Sequence, residues 1–193
     1  IIFFLSPVLI FTCAFMAYLV VPIGEKFIVR DLNIGIIYMV AITSLTVLAI
    51  MMAGISSKSK WSLLGAFRAA AQIISYEIPL LISLIGPIMI AGTLSTVGII
   101  KSQGNLWFIV LQPVAFIIYI ICATAEVNRT PFDIPEAESE LVAGYFTEYS
   151  GMKFGMFYFA EYINMFTAAC IATIVFLGGW NGILLPGIIW FLI

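Results

Sequence analysis

Three glutamates stand where the surrounding residues are almost wholly apolar. Glu77 lies in YEIPLLISL, Glu126 closes LQPVAFIIYIICATAE, and Glu161 sits in FYFAEYINM. A carboxylate inside a membrane-embedded segment is costly, so it faces the interior of a helix bundle and is a functional candidate by default. Carboxylates held in low dielectric can trade protons with their neighbours, which makes the three a candidate proton-relay row. The competing reading is that each is neutralised by a backbone carbonyl or a hydroxyl and serves packing specificity alone.

Helical spacing sets the neighbours. Glu77 follows Arg68 by nine positions, about 180° round a helix and ~13.5 Å along it, so the two cannot pair on their own helix. Arg68, Gln72 and Ser75 share one face, and Glu77 shares the other with Ile73, Ile74 and Leu81. Glu126 falls on a face with Gln112, Tyr119 and Cys122, and Glu161 on a stripe with Tyr158 and Asn164. Arg68 stands at the charged end of its helix, where it could snorkel to the interface or, with Gln72, line a pocket for a polar headgroup. Phe67, Tyr145, Phe146 and Tyr149 could flank such a pocket or be membrane-border aromatics.

A second concentration of polar chemistry runs from Ala125 to Tyr149 and holds six of the ten carboxylates in the chain. Charge so dense between two long hydrophobic runs marks a polar junction where a bundle meets water or a partner. Asp133 and Glu136 have the spacing of a helix capping box, with Pro135 in the first turn and Gly144 as the stop. That leaves Glu138, Glu140 and Glu148 without a structural account. Glu136 and Glu140 would repel each other on one helical face, unless Arg129, water, a partner's cations or a bound proton compensates. A functional cluster and a solvated acidic loop both remain open from spacing alone.

The elements that must carry these residues follow from composition. The 193 residues are 63% hydrophobic and 9% charged, with a mean hydropathy of +1.18, whereas soluble domains carry roughly 25% charged residues. This is the composition of an integral membrane protein, all-α because helices satisfy their own backbone hydrogen bonds in lipid. A net charge of −2 points to no nucleic-acid partner. With no His, and with Cys13, Cys122 and Cys170 each alone in an apolar run, no zinc, haem or iron–sulfur ligand spacing is present.

About 20 apolar residues cross a bilayer core, a rule that predicts a single transmembrane domain over residues 1–193: a polytopic bundle of about five full helices plus the start of a sixth. The expected spans are Ile2–Val21, Ile34–Gly54, Leu63–Val97 with kink points at Pro79, Gly86 and Pro87, Leu106–Ala125, and Phe154–Leu177. The sixth begins after the Gly178–Gly182 turn, and residues 126–153 form the long acidic loop. Alternating sides put Lys58, Lys60, Arg68, Arg129 and Lys153 together, against Lys26, Arg30 and Lys101. The positive-inside rule then sets the acidic loop on the cytoplasmic or matrix side. No internal repeat is visible, which disfavours an inverted-repeat transporter. The chain opens and closes inside apolar runs without an initiator Met, and is expected to be a piece of a longer protein.

Several stretches together resemble a known family: GAFRAAAQIISYEIPL at 65–80, AEVNRTPFDIPEAESELVAGYFTEYSGMKF at 125–154, FYFAEYINM at 157–165, DLNIG at 31–35 and FLGGWNG at 176–182. They are similar to complex I subunit 1, also called the H subunit, the membrane component of proton-pumping NADH:quinone oxidoreductase that adjoins the peripheral arm. The resemblance implies a fold of eight transmembrane helices, of which this chain would hold the second to the start of the seventh. It implies that Arg68, Gln72, Arg129, Asp133, Glu136, Glu138, Glu140 and Glu148 border a quinone cavity, with 126–153 facing the peripheral arm. Glu77, Glu126 and Glu161 would belong to the carboxylate path toward the antiporter-like membrane subunits.

The same resemblance implies quinone as substrate, with iron–sulfur clusters and FMN in partner subunits and no redox centre in this one. It also implies a bacterial inner membrane or an organellar inner membrane. Two rivals share some of these features: the anchor subunit of a membrane-bound hydrogenase or a ferredoxin- or F420-dependent complex, and a stand-alone carboxylate-lined proton transporter.

Overall fold

The structure is a computed structural model and describes residues 1–24, 27–104, 106–133, 144–181 and 191. The first apolar run forms α1, Ile2–Ala17, and tightens into one 3₁₀ turn, Tyr18–Val20, just before Pro22. α2 spans Gly35–Ser56. α3 spans Lys60–Ala91 and has 32 residues, a rise of about 48 Å against a hydrocarbon core of ~30 Å. It passes through Pro79 and Pro87 rather than ending at either.

Two expected boundaries are corrected. The third helix does not run to Val97: Gly92 adopts φ 67°, ψ 12° and its N–H donates to the Ile88 carbonyl, a left-handed stop that glycine takes without a Cβ penalty. Residues Thr96–Ser102 form a separate short helix, α4, capped by the Ser95 hydroxyl, which accepts from the Gly98 N–H. Nor is the fourth helix continuous. It is split into α5, Phe108–Leu111, and α6, Pro113–Glu126, by Gln112 at φ −136°, ψ 62°. Pro113 disfavours helical backbone at the residue before it and has no N–H to extend the ladder.

The last long helix, α7, is Met152–Phe176. Gly178 and Gly179 follow at positive φ. The sixth span expected after them falls at residues 182–193, of which only Phe191 is described. Among the described residues there is no β-strand, and four helical stretches are long and apolar enough to cross a membrane: Ile2–Val20, Gly35–Ser56, Lys60–Ala91 and Met152–Phe176. α6 is apolar but shorter. The chain is a polytopic helical membrane bundle, as its composition requires.

α1 packs on α2 and α7, α2 on α3, α3 on α6, and α6 on α7. One core gathers Val20, Ile36, Leu84, Ile99, Tyr119 and Phe176. The other gathers Ile10, Ala53, Ala69, Tyr145, Phe157 and Ala160. Small residues let the backbones approach. At Gly65 a Cβ would stand 2.8 Å from the Gly144 backbone, so α3 seats the 3₁₀ turn Gly144–Phe146 directly on its surface. Tyr145, Phe146 and Tyr149 are buried in an aromatic cluster with Phe154, Phe157 and Tyr158. They are core residues rather than border aromatics, while Phe67 is exposed.

Candidate functional site

Three hydroxyl residues of α2, Thr43, Ser44 and Thr46, form the wall against which the carboxylates gather. Ser44 Oγ hydrogen-bonds both the Val40 carbonyl and Glu77 Oε1, so Glu77 reaches across from α3 to α2. Glu126, the last residue of α6, lies beside the Thr43 hydroxyl and close enough to Glu77 for their charges to interact. Glu161 on α7 is in an ion pair with Arg129, Nη2 to Oε1 3.1 Å. Asp133 is near enough to add its own field at Glu161.

Arg129 also lies over the Tyr162 ring at 4.7 Å, a cation–π arrangement. It thus has a carboxylate partner on α7. The pairing offsets the charge of Glu161, whereas Glu77 and Glu126 have hydroxyl neighbours. Two cavities, each about 30 Å³, lie beside Glu126. Glu126 lines both, and Glu161 lines the second.

The residues expected near a headgroup pocket fare differently. Arg68 is half-buried on α3, one turn before Gln72. The Gln72 amide Nε2 donates to the carbonyls of Ala125 and Phe132, each at 2.8 Å, and lies 3.1 Å from Asn128 Oδ1. It ties α3 to the turn that leaves α6. Asp133 and Glu148 are exposed. Glu136, Glu138 and Glu140, and with them the expected capping-box helix, lie outside the described residues.

The hydroxyl wall was missed by reading the carboxylates alone. Its signal was visible as AITSLT at 41–46, a polar cluster in an otherwise apolar span. Thr167 and Asn128, near or on the cavities, had no comparable signal. Among the described residues no group of three His, Cys, Asp or Glu could hold a metal ion. Cys13, Cys122 and Cys170 are buried and free.

The helical order bears on sidedness. Arg30 N–H donates to the Leu19 carbonyl and Ile36 N–H to the Leu94 carbonyl, which joins the links after α1 and α3 at one end. Gly65 against Gly144 and Ser56 against Tyr149 join the opposite links at the other. Lys153 stands over the rings of Phe3 and Phe4 at that second end.

Such a bundle, with Glu77 on Ser44, Glu161 on Arg129 and Glu126 beside small cavities, is a multi-pass membrane protein with polar groups between its helices. The family model described as NADH dehydrogenase matches residues 1–193, and the chain belongs to that family. It is 48% identical to the H subunit of NADH-quinone oxidoreductase from Bacillus thuringiensis subsp. konkukian (strain 97-27), over 98% of this chain and 58% of that protein. The proteins of the same name from Bacillus cereus (strain AH187) and Bacillus anthracis (strain A0248) are each 47% identical over the same shares. The chain thus spans 58% of the length of the curated relatives it matches.

Proposed function

We propose that this chain is the central portion of the membrane subunit of a proton-translocating NADH:quinone oxidoreductase, in which Glu77, Glu126 and Glu161 conduct protons. The observation that carries the reading is that Glu77 and Glu126 meet at the α2 hydroxyls while Glu126 and Glu161 line one small cavity, in a chain of this family. An arrangement of carboxylates, hydroxyls and small polar cavities suits proton exchange.

In this reading quinone is the substrate, and its headgroup is approached by Arg68 and by the segment 126–153, including Arg129, Asp133, Glu136, Glu138, Glu140 and Glu148. Gln72 acts there by fixing the loop's first residues. Flavin and iron–sulfur clusters belong to partner subunits that meet this segment, and antiporter-like membrane subunits receive the protons. The complex sits in a bacterial or organellar inner membrane with the acidic segment on the cytoplasmic or matrix side. Negative charge developing on reduced quinone would shift the coupled proton affinities of neighbouring carboxylates.

The test is the assembled complex in sealed vesicles carrying Glu77→Gln, Glu126→Gln or Glu161→Gln, with NADH-driven quinone reduction and proton translocation followed together. Each is expected to lower translocation by a factor on the order of 10². Wild-type translocation in all three would exclude the row. In the same vesicles Arg68→Ala is expected to raise the KM for quinone, and an unchanged KM would remove Arg68 from the headgroup pocket.

A further inference from the structure

Asn164 on α7 is buried at its Oδ1 and, among the described residues, that atom has no hydrogen-bond partner. Buried carboxamide oxygens in folded proteins are nearly always paired, with protein or with ordered water. Asn164 lines both of the small cavities. Thr46, Glu126 and Val127 line both as well, and Glu161 lines the second. A cavity of about 30 Å³ holds one water with room to spare, provided that two or more polar groups face it.

The hydrogen-bond directions favour a water here. Thr46 spends its hydroxyl proton on the Thr43 carbonyl at 2.6 Å, which leaves its oxygen lone pairs to accept. Asn164 Oδ1 is an acceptor too. Two fixed acceptors beside two carboxylates need a donor between them, and water is the donor that fits the space.

We propose that Asn164 is a positioning residue: with Thr46 it holds a water between Glu126 and Glu161, through which the two carboxylates exchange a proton. The water rests with one proton on Asn164 Oδ1 and the other on Thr46 Oγ1. As the proton of protonated Glu126 bonds to the water oxygen, the water's proton on Thr46 turns to the Glu161 carboxylate and its bond to the water oxygen breaks. One proton moves, the water is regenerated, and the reverse step follows the same atoms. The proposal rests on the reading of Glu77, Glu126 and Glu161 as a proton path, and adds the residue that orders the step between the second and third.

The test compares Asn164→Leu, which keeps the branching but removes the acceptor, with Asn164→Asp, which keeps an oxygen at that position. In the assembled complex in vesicles, Asn164→Leu is expected to slow proton translocation about tenfold, the effect of one lost hydrogen bond. The carboxyl C=O infrared band that responds to quinone reduction should shift in the Leu variant. Asn164→Asp should restore both rate and band, a rescue that a packing role would not produce.

If Asn164→Leu translocates at the wild-type rate while Glu161→Gln does not, the water bridge is wrong and the carboxylate row stands. If Glu126→Gln and Glu161→Gln both translocate normally, the row itself fails. Should Asn164→Leu not assemble, Thr46→Val removes only the second acceptor and is expected to cost about threefold in rate; no change in that assembled variant would overturn the proposal.

Discussion

The Arg129–Glu161 pair shows how a single contact redirects the chemistry of a site. Glu161 retains 16% of its side-chain exposure and Arg129 39%, so the pair lies between a surface ion pair and a buried one. A double-mutant cycle with Arg129→Ala and Glu161→Ala should give a coupling of about 1 kcal/mol in the unfolding of the detergent-solubilised protein. A coupling indistinguishable from zero would mean that the 3.1 Å contact contributes no stability. The pairing was not legible in spacing, because the two residues are 32 positions apart in the chain (161 − 129). Glu77 was legible only in part: its burial followed from its apolar neighbours, whereas its bond to Ser44 depends on how α2 lies on α3.

At the scale of elements, the close approach of α3 to the Gly144–Phe146 turn positions the start of the polar segment. A Cβ at Gly65 would meet backbone atoms at 2.8 Å, and backbone cannot swing aside as a side chain does. Gly65→Val should therefore destabilise by about 1–3 kcal/mol and lower the melting temperature of the purified protein. An unchanged melting temperature would mean that the turn can lift off α3 without cost. The division of the fourth span at Gln112 is an element-scale feature whose cause was present locally. Pro113 constrains the residue before it, yet the apolar residues on both sides of Gln112 and Pro113 have the length and hydropathy of one continuous span. The stop at Gly92 was hidden the same way, since a glycine can continue a helix or end it.

For the molecule as a whole, a path made of groups in series has a consequence that separate packing roles lack. If the proposed proton path is blocked by Glu126→Gln, adding Glu161→Gln should lower translocation by less than a further factor of about 2, far from the product of the single effects. Vesicle assays of the two single variants and the double variant measure this directly. Multiplicative losses would mean that the two carboxylates act independently.

That this is a membrane bundle, and roughly where its long helices run apart from the stop at Gly92 and the break at Gln112, follows from the order of the amino acids. Those properties depend on local quantities: the cost of placing charge in lipid, the length needed to cross it, and the 3.6-residue repeat that assigns a face. Membership of the family was legible in the same way, in contiguous motifs. Packing in three dimensions was needed to bring Ser44 to Glu77, turn Arg129 to Glu161, clamp the exit of α6 with Gln72, and face Asn164 to two cavities. Each of these joins residues on different elements, and helix spacing carries no information about which helices become neighbours. That choice is made by small residues and side-chain shapes packing across the whole bundle.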